Sequence, residues 1–116
     1  MSHFVPKHKM TEEDIKLQYI TPAITAKWPL SRITMETQIT DGKINLKGNL
    51  VVREKPKKAD YVLYLQHEKP IAIVEAKDNK HTVSYGIQQA ITYAQMLDVP
   101  FAYSSNGDAF YEHDRL

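Results

Sequence analysis

The segment at residues 71–76, IAIVEA, constrains the fold more strongly than any other part of this chain of 116 residues. Its side chains are apolar almost without interruption, which is typical of a central strand that is covered on both faces. Residues 60–65, DYVLYL, form a second apolar run, and the turn at residues 67–70 between the two is short. A connection of this length predicts that the two strands are antiparallel neighbours. The chain is therefore expected to fold around a sheet with other elements on both sides.

Two helices are predicted to cover this sheet. The first starts after Thr11, a good N-cap residue, and three acids follow it where the helix dipole favours negative charge. Its apolar positions include Leu17, Ile20 and Ile24, and Pro22 is expected to kink it or to start a second short helix. The second helix is predicted over residues 82–97, and its apolar face consists of Ile87, Ala90, Ile91, Ala94 and Leu97.

Shorter segments are predicted to complete the sheet. Residues 32–40 read as a strand with Ile33, Met35, Thr37 and Ile39 on one face. Asn106-Gly107 is typical of a type I′ hairpin turn. The remaining segments are a strand or a loop at residues 45–52, an exposed basic linker at residues 55–58, and short strands at residues 101–104 and 109–112.

The order of these elements is helix, strands, helix, strands. It predicts the α/β class in the broad sense, an α+β domain with a central mixed β-sheet flanked by helices. Residues 11–116 are expected to form one domain, because a chain of this length supports a single core. Residues 1–10 are expected to be a flexible tail, in which His3 and His8 fit a frayed terminus better than a metal site.

Composition narrows the possible functions only slightly. The chain has no cysteine, which excludes disulfides and thiolate metal sites. Its net charge is +1, so global charge neither favours nor excludes nucleic acid. No apolar run approaches the roughly 20 residues of a membrane span, and no signal peptide is visible. The chain is therefore expected to be cytoplasmic and to have no membrane partner.

Three charged residues stand where folding alone does not require them. Asp60 begins one apolar strand, Glu75 lies near the end of the next, and Lys77 follows two residues later. If the strands are antiparallel neighbours, Asp60 and Glu75 lie side by side, and alternation turns Glu75 and Lys77 the same way. Two adjacent carboxylates suit a hard cation such as Mg2+, with the carbonyl of Ala76 as a further ligand.

Such a group could hydrolyse a phosphodiester. A bound divalent cation acidifies a water molecule, and a lysine beside it can hold that water and neutralise charge on the phosphate. The alternative is a structural salt bridge between Lys77 and either Asp60 or Glu75. On the residues alone, this alternative stays open.

Further residues are candidates to support this site. Gln89 and Tyr93 share one face of the second helix and could donate to phosphates or bases, or could simply be a polar face with a half-buried tyrosine. Glu12 could reach the same site or merely serve the helix dipole. Lys57 and Lys58, together with Lys55, could steer a polyanion toward Asp60 or form an ordinary solvated charge run.

Together these segments resemble a known family. Asp60 followed by Glu75-Ala76-Lys77 resembles the PD-(D/E)XK nuclease superfamily, and Gln89-x-x-x-Tyr93 resembles the additional motif of its RecB-like and type I restriction members. The whole ordered set is similar to the N-terminal nuclease domain of the R (motor) subunit of type I restriction enzymes. The segments that carry this resemblance are TEEDIKLQYITPAI, KADYVLYL, KPIAIVEAKD, GIQQAITYAQML and PFAYSSNGDAFYEHD.

The resemblance implies a PD-(D/E)XK restriction-endonuclease-like core and Mg2+-dependent endonucleolytic cleavage of double-stranded DNA, with Mn2+ able to substitute. It implies that Asp60 and Glu75 hold the metal and that Lys77 assists the water. By the same likeness, Gln89 and Tyr93 support the site or the DNA. Glu12 matches the acid of the family's opening helix. The chain departs from the superfamily at Ala59, where a proline is usual.

The resemblance also implies partners. In that family the modification and specificity subunits complete the complex, and recognition of the DNA sequence belongs to another subunit. ATP is used by motor domains, and the GxxxxGK[ST] phosphate loop of such domains is absent from this sequence. The chain is therefore expected to be a fragment of a longer motor subunit, with a solitary domain as the alternative. Two alternatives are another nuclease of the superfamily, such as a RecB-like exonuclease or a junction resolvase, and a non-catalytic DNA-binding or assembly module.

Overall fold

A six-stranded mixed sheet, in the order β2-β1-β3-β4-β5-β6, organises the computed structural model, which describes residues 5–40, 43–45, 57–66 and 69–114. The strands are β1 (Ile33–Thr40), β2 (Lys43–Asn45), β3 (Lys57–Gln66), β4 (Lys69–Ala76), β5 (Phe101–Ser105) and β6 (Phe110–Asp114). The helical elements are 3-10 turns at Lys7–Lys9 and Leu30–Arg32, α1 (Glu12–Ile15), a π-helical turn (Lys16–Ile20), α2 (Thr21–Thr25) and α3 (Ile87–Leu97). All neighbouring strands are antiparallel except β4 and β5, which are parallel and are connected through α3.

The N-terminal helical segment begins as its sequence predicts. The hydroxyl of Thr11 accepts a hydrogen bond from the N–H of Asp14 at 3.1 Å, which confirms the N-cap. The prediction of a second short helix is also confirmed, because Pro22 lies in the first turn of α2. Leu17, however, is not on the buried face: it is 70% exposed, and Lys16 is buried instead. The wider π-helical turn shifts the residues that face the sheet away from the 3.6-residue period.

Strands β3 and β4 pair as their short connection predicts, although residues 67 and 68 of that turn lie outside the described residues. Their regular pairing reaches only as far as Tyr61 and Val74. The first residues of β3 pair with β1 instead, and Lys57 is opposite Ile39. The prediction of a basic linker is therefore wrong for residues 57 and 58, which belong to a strand because β1 offers them a partner. Residues 41, 42 and 46–56 are outside the described part of the chain.

Two predicted boundaries near the C-terminus are corrected. Helix α3 begins at Ile87 and not at residue 82, because the preceding residues form turns in which the N–H of Tyr85 donates to the carbonyl of Thr82 at 3.0 Å. The β5–β6 connection is longer than a two-residue type I′ turn, since Ser105 pairs with Phe110. Gly107 has a φ of +91°, which a residue with a side chain rarely adopts.

Both faces of the sheet are covered, as the apolar run in β4 predicts. Ile73 packs in a cluster on the side of α3, and Val74 packs in a second cluster with Ile15 and Ile20 from the N-terminal helical segment. Each such side chain contributes about 1.5–3 kcal/mol when fully buried. The prediction of a mixed sheet flanked by helices is therefore confirmed.

The N-terminal segment contacts the domain. Met10 is 6% exposed and belongs to the cluster beneath the N-terminal helices. The ammonium group of Lys7 lies 2.9 Å from the carboxylate of Asp108 and 4.1 Å from the ring centre of Tyr19. The flexibility expected of residues 1–10 stays a prediction, and residues 1–4 lie outside the described residues. No helix in the described residues is both long and apolar enough to cross a membrane.

Candidate active site

The two acids predicted to meet do so where β3 and β4 separate. The backbone N–H of Asp60 donates to Oε2 of Glu75 at 2.7 Å, and the N–H of Ala76 donates to Oδ2 of Asp60 at 2.8 Å. Side-chain oxygens thus accept hydrogen bonds at the point where regular pairing of the two strands has ended. These reciprocal bonds fix both carboxylates in the gap between the strand ends.

Close approach and burial change the proton affinity of both acids. Burial, and then the charge of Asp60, raises the pKa of Glu75 to about 8 from an ordinary value of 4.5. Burial also raises the pKa of Asp60, against the lowering effects of the Ala76 N–H and the Lys16 ammonium. Glu75 is 2% exposed. Glu75 therefore takes up a proton more readily than an exposed acid does, and a cation beside the two carboxylates would favour their ionised forms instead.

Glu12 and Lys77 lie within electrostatic range of this pair. Burial, followed by the charge of Asp60, raises the pKa of Glu12, whereas Lys77 and Lys16 lower it. Lys77 also acts on the pKa of Glu75 and of Asp60. Helix α1 and the end of β4 therefore contribute charged groups to one cluster. The carbonyl of Ala76 as a metal ligand stays a prediction.

Lys77 is held by its backbone and by the turn before α3. Its N–H donates to the carbonyl of Ser105 at 2.9 Å, which extends the β4–β5 pairing by one residue. A Cβ atom at Gly86 would lie 3.1 Å from Cγ of Lys77 and 3.3 Å from its Cε. The absence of a side chain at Gly86 therefore leaves space for the lysine chain. The ammonium group lies 5.8 Å from the ring centre of Tyr85.

A second lysine, Lys16, is a member of this cluster that the sequence did not reveal. Its ammonium group lies 2.5 Å from Oε1 of Glu36, 3.3 Å from Oε1 of Glu13 and 3.6 Å from Oδ1 of Asp60. Burial alone would lower the pKa of Lys16, but the hydrogen bond to Glu36 and the charge of Asp60 raise it. The only sequence signal was a lysine next to the apolar stripe, which ordinary helix periodicity turns to solvent.

The other predicted residues lie on α3 and at the start of β3. Nε2 of Gln89 donates to the Tyr93 hydroxyl at 2.8 Å, and Tyr93, 7% exposed, belongs to the same core cluster as Ala59. Lys57 and Lys58 are exposed at the start of β3. Lys55 lies outside the described residues. The roles proposed for these residues in supporting the site or binding DNA stay predictions.

The donor set of the cluster suits a divalent cation that keeps part of its water shell. Across residues 5–40, 43–45, 57–66 and 69–114, no three His, Asp or Glu side chains gather closely enough to enclose a metal ion. Mg2+ does not require such a cage, because it commonly keeps several waters and binds through one or two carboxylates plus phosphate oxygens. The carboxylates of Asp60 and Glu75 fit this mode of binding, and the pKa of Glu75 is raised first by burial and then by the charge of Asp60.

Comparisons with known proteins agree on one family. A family model described as type I restriction enzyme R protein N terminus (HSDR_N) matches residues 22–115. The type I restriction enzyme EcoAI endonuclease subunit of Escherichia coli is 43% identical over 107 residues, which are 90% of this chain and 13% of that relative. A solved fragment described as an HsdR subunit of a type I restriction enzyme from Vibrio vulnificus YJ016 has a TM-score of 0.76 and 39% identity, and the match covers 91% of this chain and 21% of that one.

Proposed function

This chain belongs to the family of type I restriction enzyme R protein N termini, and we propose that it is the nuclease domain of such an R subunit. In this proposal it is a PD-(D/E)XK enzyme that cuts double-stranded DNA endonucleolytically and requires Mg2+, for which Mn2+ can substitute. The observation that carries the proposal is a pair of backbone-to-carboxylate hydrogen bonds in the gap between two strand ends. The N–H of Asp60 donates to Glu75, and the N–H of Ala76 donates to Asp60, so both carboxylates are held there. Folding gains little from this arrangement, because it removes two carboxyl groups from water and so disfavours their ionised forms.

Each member of the cluster has a proposed role. Asp60 and Glu75 would hold the cation, with the Ala76 carbonyl and Glu12 as further ligands. When bound, the cation would supply a water of lowered pKa and neutralise charge on the phosphate. Lys77 would orient the attacking water and stabilise charge on the scissile phosphate. Gln89 and Tyr93 would support the site, and Lys57 and Lys58 would attract the DNA backbone.

The remaining features of the proposal concern the whole subunit. The chain spans 13% of the length of the Escherichia coli relative, so further domains of an R subunit would supply ATP-driven movement. The proposed partners are double-stranded DNA and the modification and specificity subunits of a type I complex. The proposed location of that complex is the cytoplasm.

The proposal is tested by Asp60→Asn in an intact R subunit assembled with its partner subunits. Loss of this carboxylate should reduce cutting of a covalently closed circular plasmid by about 100- to 1,000-fold, because the charge that holds the cation is lost. Mn2+ affinity, measured by electron paramagnetic resonance, should fall in the same variant. Asp108→Asn, which neutralises an acid on the β5–β6 connection, is the matched control and should retain both properties.

The same experiment separates the alternatives. A circular plasmid has no ends, so an exonuclease would leave it intact. A non-catalytic binding module would shift the plasmid in a gel without cutting it and would show no Mn2+ binding that depends on Asp60. Full cleavage by Asp60→Asn would reject the proposed site, even if the complex proved to be a nuclease.

The space at Gly86 supplies a further prediction. Gly86 has φ −88° and ψ 0°, which alanine also adopts, so Gly86→Ala introduces no backbone strain. Its new methyl group would press on Lys77 and on Oγ of Ser104, at 3.3 Å. We expect plasmid cleavage to fall by about tenfold through displacement of Lys77.

Gly107→Ala is the contrasting variant for this prediction. Its φ of +91° makes alanine strained, and the new Cβ would lie 3.1 Å from Ile15. We expect it to destabilise the fold by about 1 kcal/mol or more, with cleavage retained at a temperature where it remains folded. If Gly86→Ala cut DNA at the normal rate, the close packing of Lys77 would have no part in its function.

A further inference from the structure

The side chain of Lys16 is buried among three carboxylates. It is only 3% exposed, and lysine is almost never buried to this extent unless it is paired. Its partners come from three elements: Glu13 from α1, Glu36 from β1 and Asp60 from β3. A single ammonium group thus connects the N-terminal helical segment to β1 and to β3, the strand that supplies Asp60 to the proposed metal site.

Two unusual backbone features bring this lysine and its partner together. Lys16 is the first residue of the π-helical turn. This geometry is rare in proteins, and where it occurs it is often at a functional site. Glu36 has a φ of +51°, although it is not glycine and lies within a strand. It faces Asp60 across the β1–β3 ladder, between the paired positions of Met35 and Thr37. Strained residues of this kind cluster at sites where a side chain must be aimed.

The contacts of Asp60 explain what Lys16 can do there. One carboxylate oxygen, Oδ2, accepts the Ala76 N–H at 2.8 Å, while the other, Oδ1, faces the Lys16 ammonium at 3.6 Å. A hydrogen bond to one oxygen alone would leave the carboxylate free to rotate about its Cβ–Cγ bond. A positive charge on the other oxygen limits that rotation.

We propose that Lys16 is a positioning residue for the cleavage reaction, and that its buried ammonium group, anchored by Glu36 and Glu13, fixes the orientation of the Asp60 carboxylate. The inference rests on the proposed function, because that function makes Asp60 a metal ligand. Stability alone does not explain the arrangement, since a buried ion pair is often no more stabilising than apolar side chains of similar volume. The cluster stays acidic with Lys16 present, because it contains five acids (Glu12, Glu13, Glu36, Asp60 and Glu75) and two lysines (Lys16 and Lys77) that interact electrostatically.

The test measures the hydrogen bond that depends on the orientation of Asp60. In an intact R subunit without divalent cation, hydrogen exchange of the Ala76 amide should be about tenfold faster in Lys16→Met than in the unchanged protein. Lys16→Arg keeps the charge and should restore slow exchange. Lys27→Met, which removes an exposed lysine just beyond α2, is the matched control and should have no effect.

Cleavage provides the second measurement. Lys16→Met should cut DNA about 10- to 100-fold more slowly, because a displaced ligand carboxylate misaligns the reacting groups. Lys16→Arg should recover much of that loss. If Lys16→Met does not fold, Glu36→Gln takes its place, because this variant keeps Lys16 and weakens the shortest contact of its ammonium group. Glu36→Gln should also make hydrogen exchange of the Ala76 amide faster.

The outcomes separate the two proposals. Unchanged Ala76 exchange in Lys16→Met and Glu36→Gln would overturn the role of Lys16, even if the R subunit proves to be a nuclease. An equal increase at Ile73, Val74 and Ala76 would also overturn it, because it would indicate general destabilisation of β4. Selective loss of Ala76 protection in a protein that neither cuts DNA nor binds Mn2+ would support the placement of Asp60 by Lys16 while rejecting the proposed function.

Discussion

Lys77→Met is expected to slow cleavage of a circular plasmid by about 100- to 1,000-fold, the usual effect of removing one group that stabilises charge in a transition state. Methionine keeps most of the length and apolar contacts of the lysine chain, so the packing against Gly86 should survive. The lost ammonium group of Lys77 is one that lowers the pKa of Glu12, Asp60 and Glu75. Its removal makes the cluster more negative, so Mn2+ should bind at least as tightly as before.

This opposite behaviour of binding and cleavage is what identifies the role of Lys77. A structural salt bridge, the alternative left open by the sequence, would give a variant with a lower melting temperature and normal cleavage wherever it stays folded. Lys80→Met removes an exposed lysine from the same turn and is the control for the general loss of positive charge. Plasmid cleavage and Mn2+ affinity, measured side by side in the intact R subunit, distinguish these cases. Normal cutting by Lys77→Met would remove Lys77 from the mechanism.

The approach of Asp60 to Glu75 was predictable because it depends on only two local rules. A short connection makes two strands antiparallel neighbours, and antiparallel neighbours bring the start of one strand beside the end of the next. Both strands are long apolar runs, so the sequence of these segments favours a strand over any other element. The single acid in β4 then indicated a functional site, because a strand that is covered on both faces normally contains apolar residues.

Lys16 was not predictable for the opposite reason. The exposure of a helical residue is read from a 3.6-residue period, and the π-helical turn that starts at Lys16 departs from that period. The same change in turn width turns Leu17 toward solvent. One irregularity therefore explains both why Leu17 was predicted to be buried and why the burial of Lys16 was not predicted. Its partner Glu36 has a left-handed φ, which no local sequence signal at a glutamate predicts. Tertiary contacts with Asp60 and with each other determine where these two side chains lie.

The turn before α3 was misread because its residues satisfy a helical pattern without forming a helix. Residues 82–86 continue the apolar and polar spacing of α3, but the hydroxyl of Thr82 lies 3.3 Å from that of Ser84. Ser104 also donates a short hydrogen bond to the carbonyl of Val83. The Thr82–Ser84 contact is a local side-chain bond of the kind that competes with helix formation, whereas the bond from Ser104 comes from β5. The resulting turn brings Gly86 next to Lys77, so the error concerned a part of the chain that shapes the site.

Glu75→Gln is expected to stabilise the metal-free chain, and increasingly so as the pH rises from 5 to 8. The pKa of Glu75 is raised, chiefly by burial, from 4.5 to about 8, so the folded state holds a proton that the unfolded state has released. Stability therefore falls as the pH rises through this interval and levels off above it. Each pKa unit corresponds to about 1.4 kcal/mol, so the full effect is on the order of a few kcal/mol. Glutamine resembles the protonated acid and can still accept the Asp60 N–H, so it should remove most of the slope.

Urea unfolding of the chain at pH 5, 6, 7 and 8 in the presence of EDTA measures this slope directly. Glu112→Gln removes an exposed acid from β6 and should leave the slope unchanged. Addition of Mg2+ to the unchanged protein should raise its stability most at pH 8, because a cation between the two carboxylates favours their ionised forms. Glu75→Gln should lose this response, since it cannot supply the second charge. A flat profile in EDTA, or an Mg2+ response that survives in Glu75→Gln, would mean that Asp60 and Glu75 do not share one desolvated site, and the physical basis for a cation there would be lost.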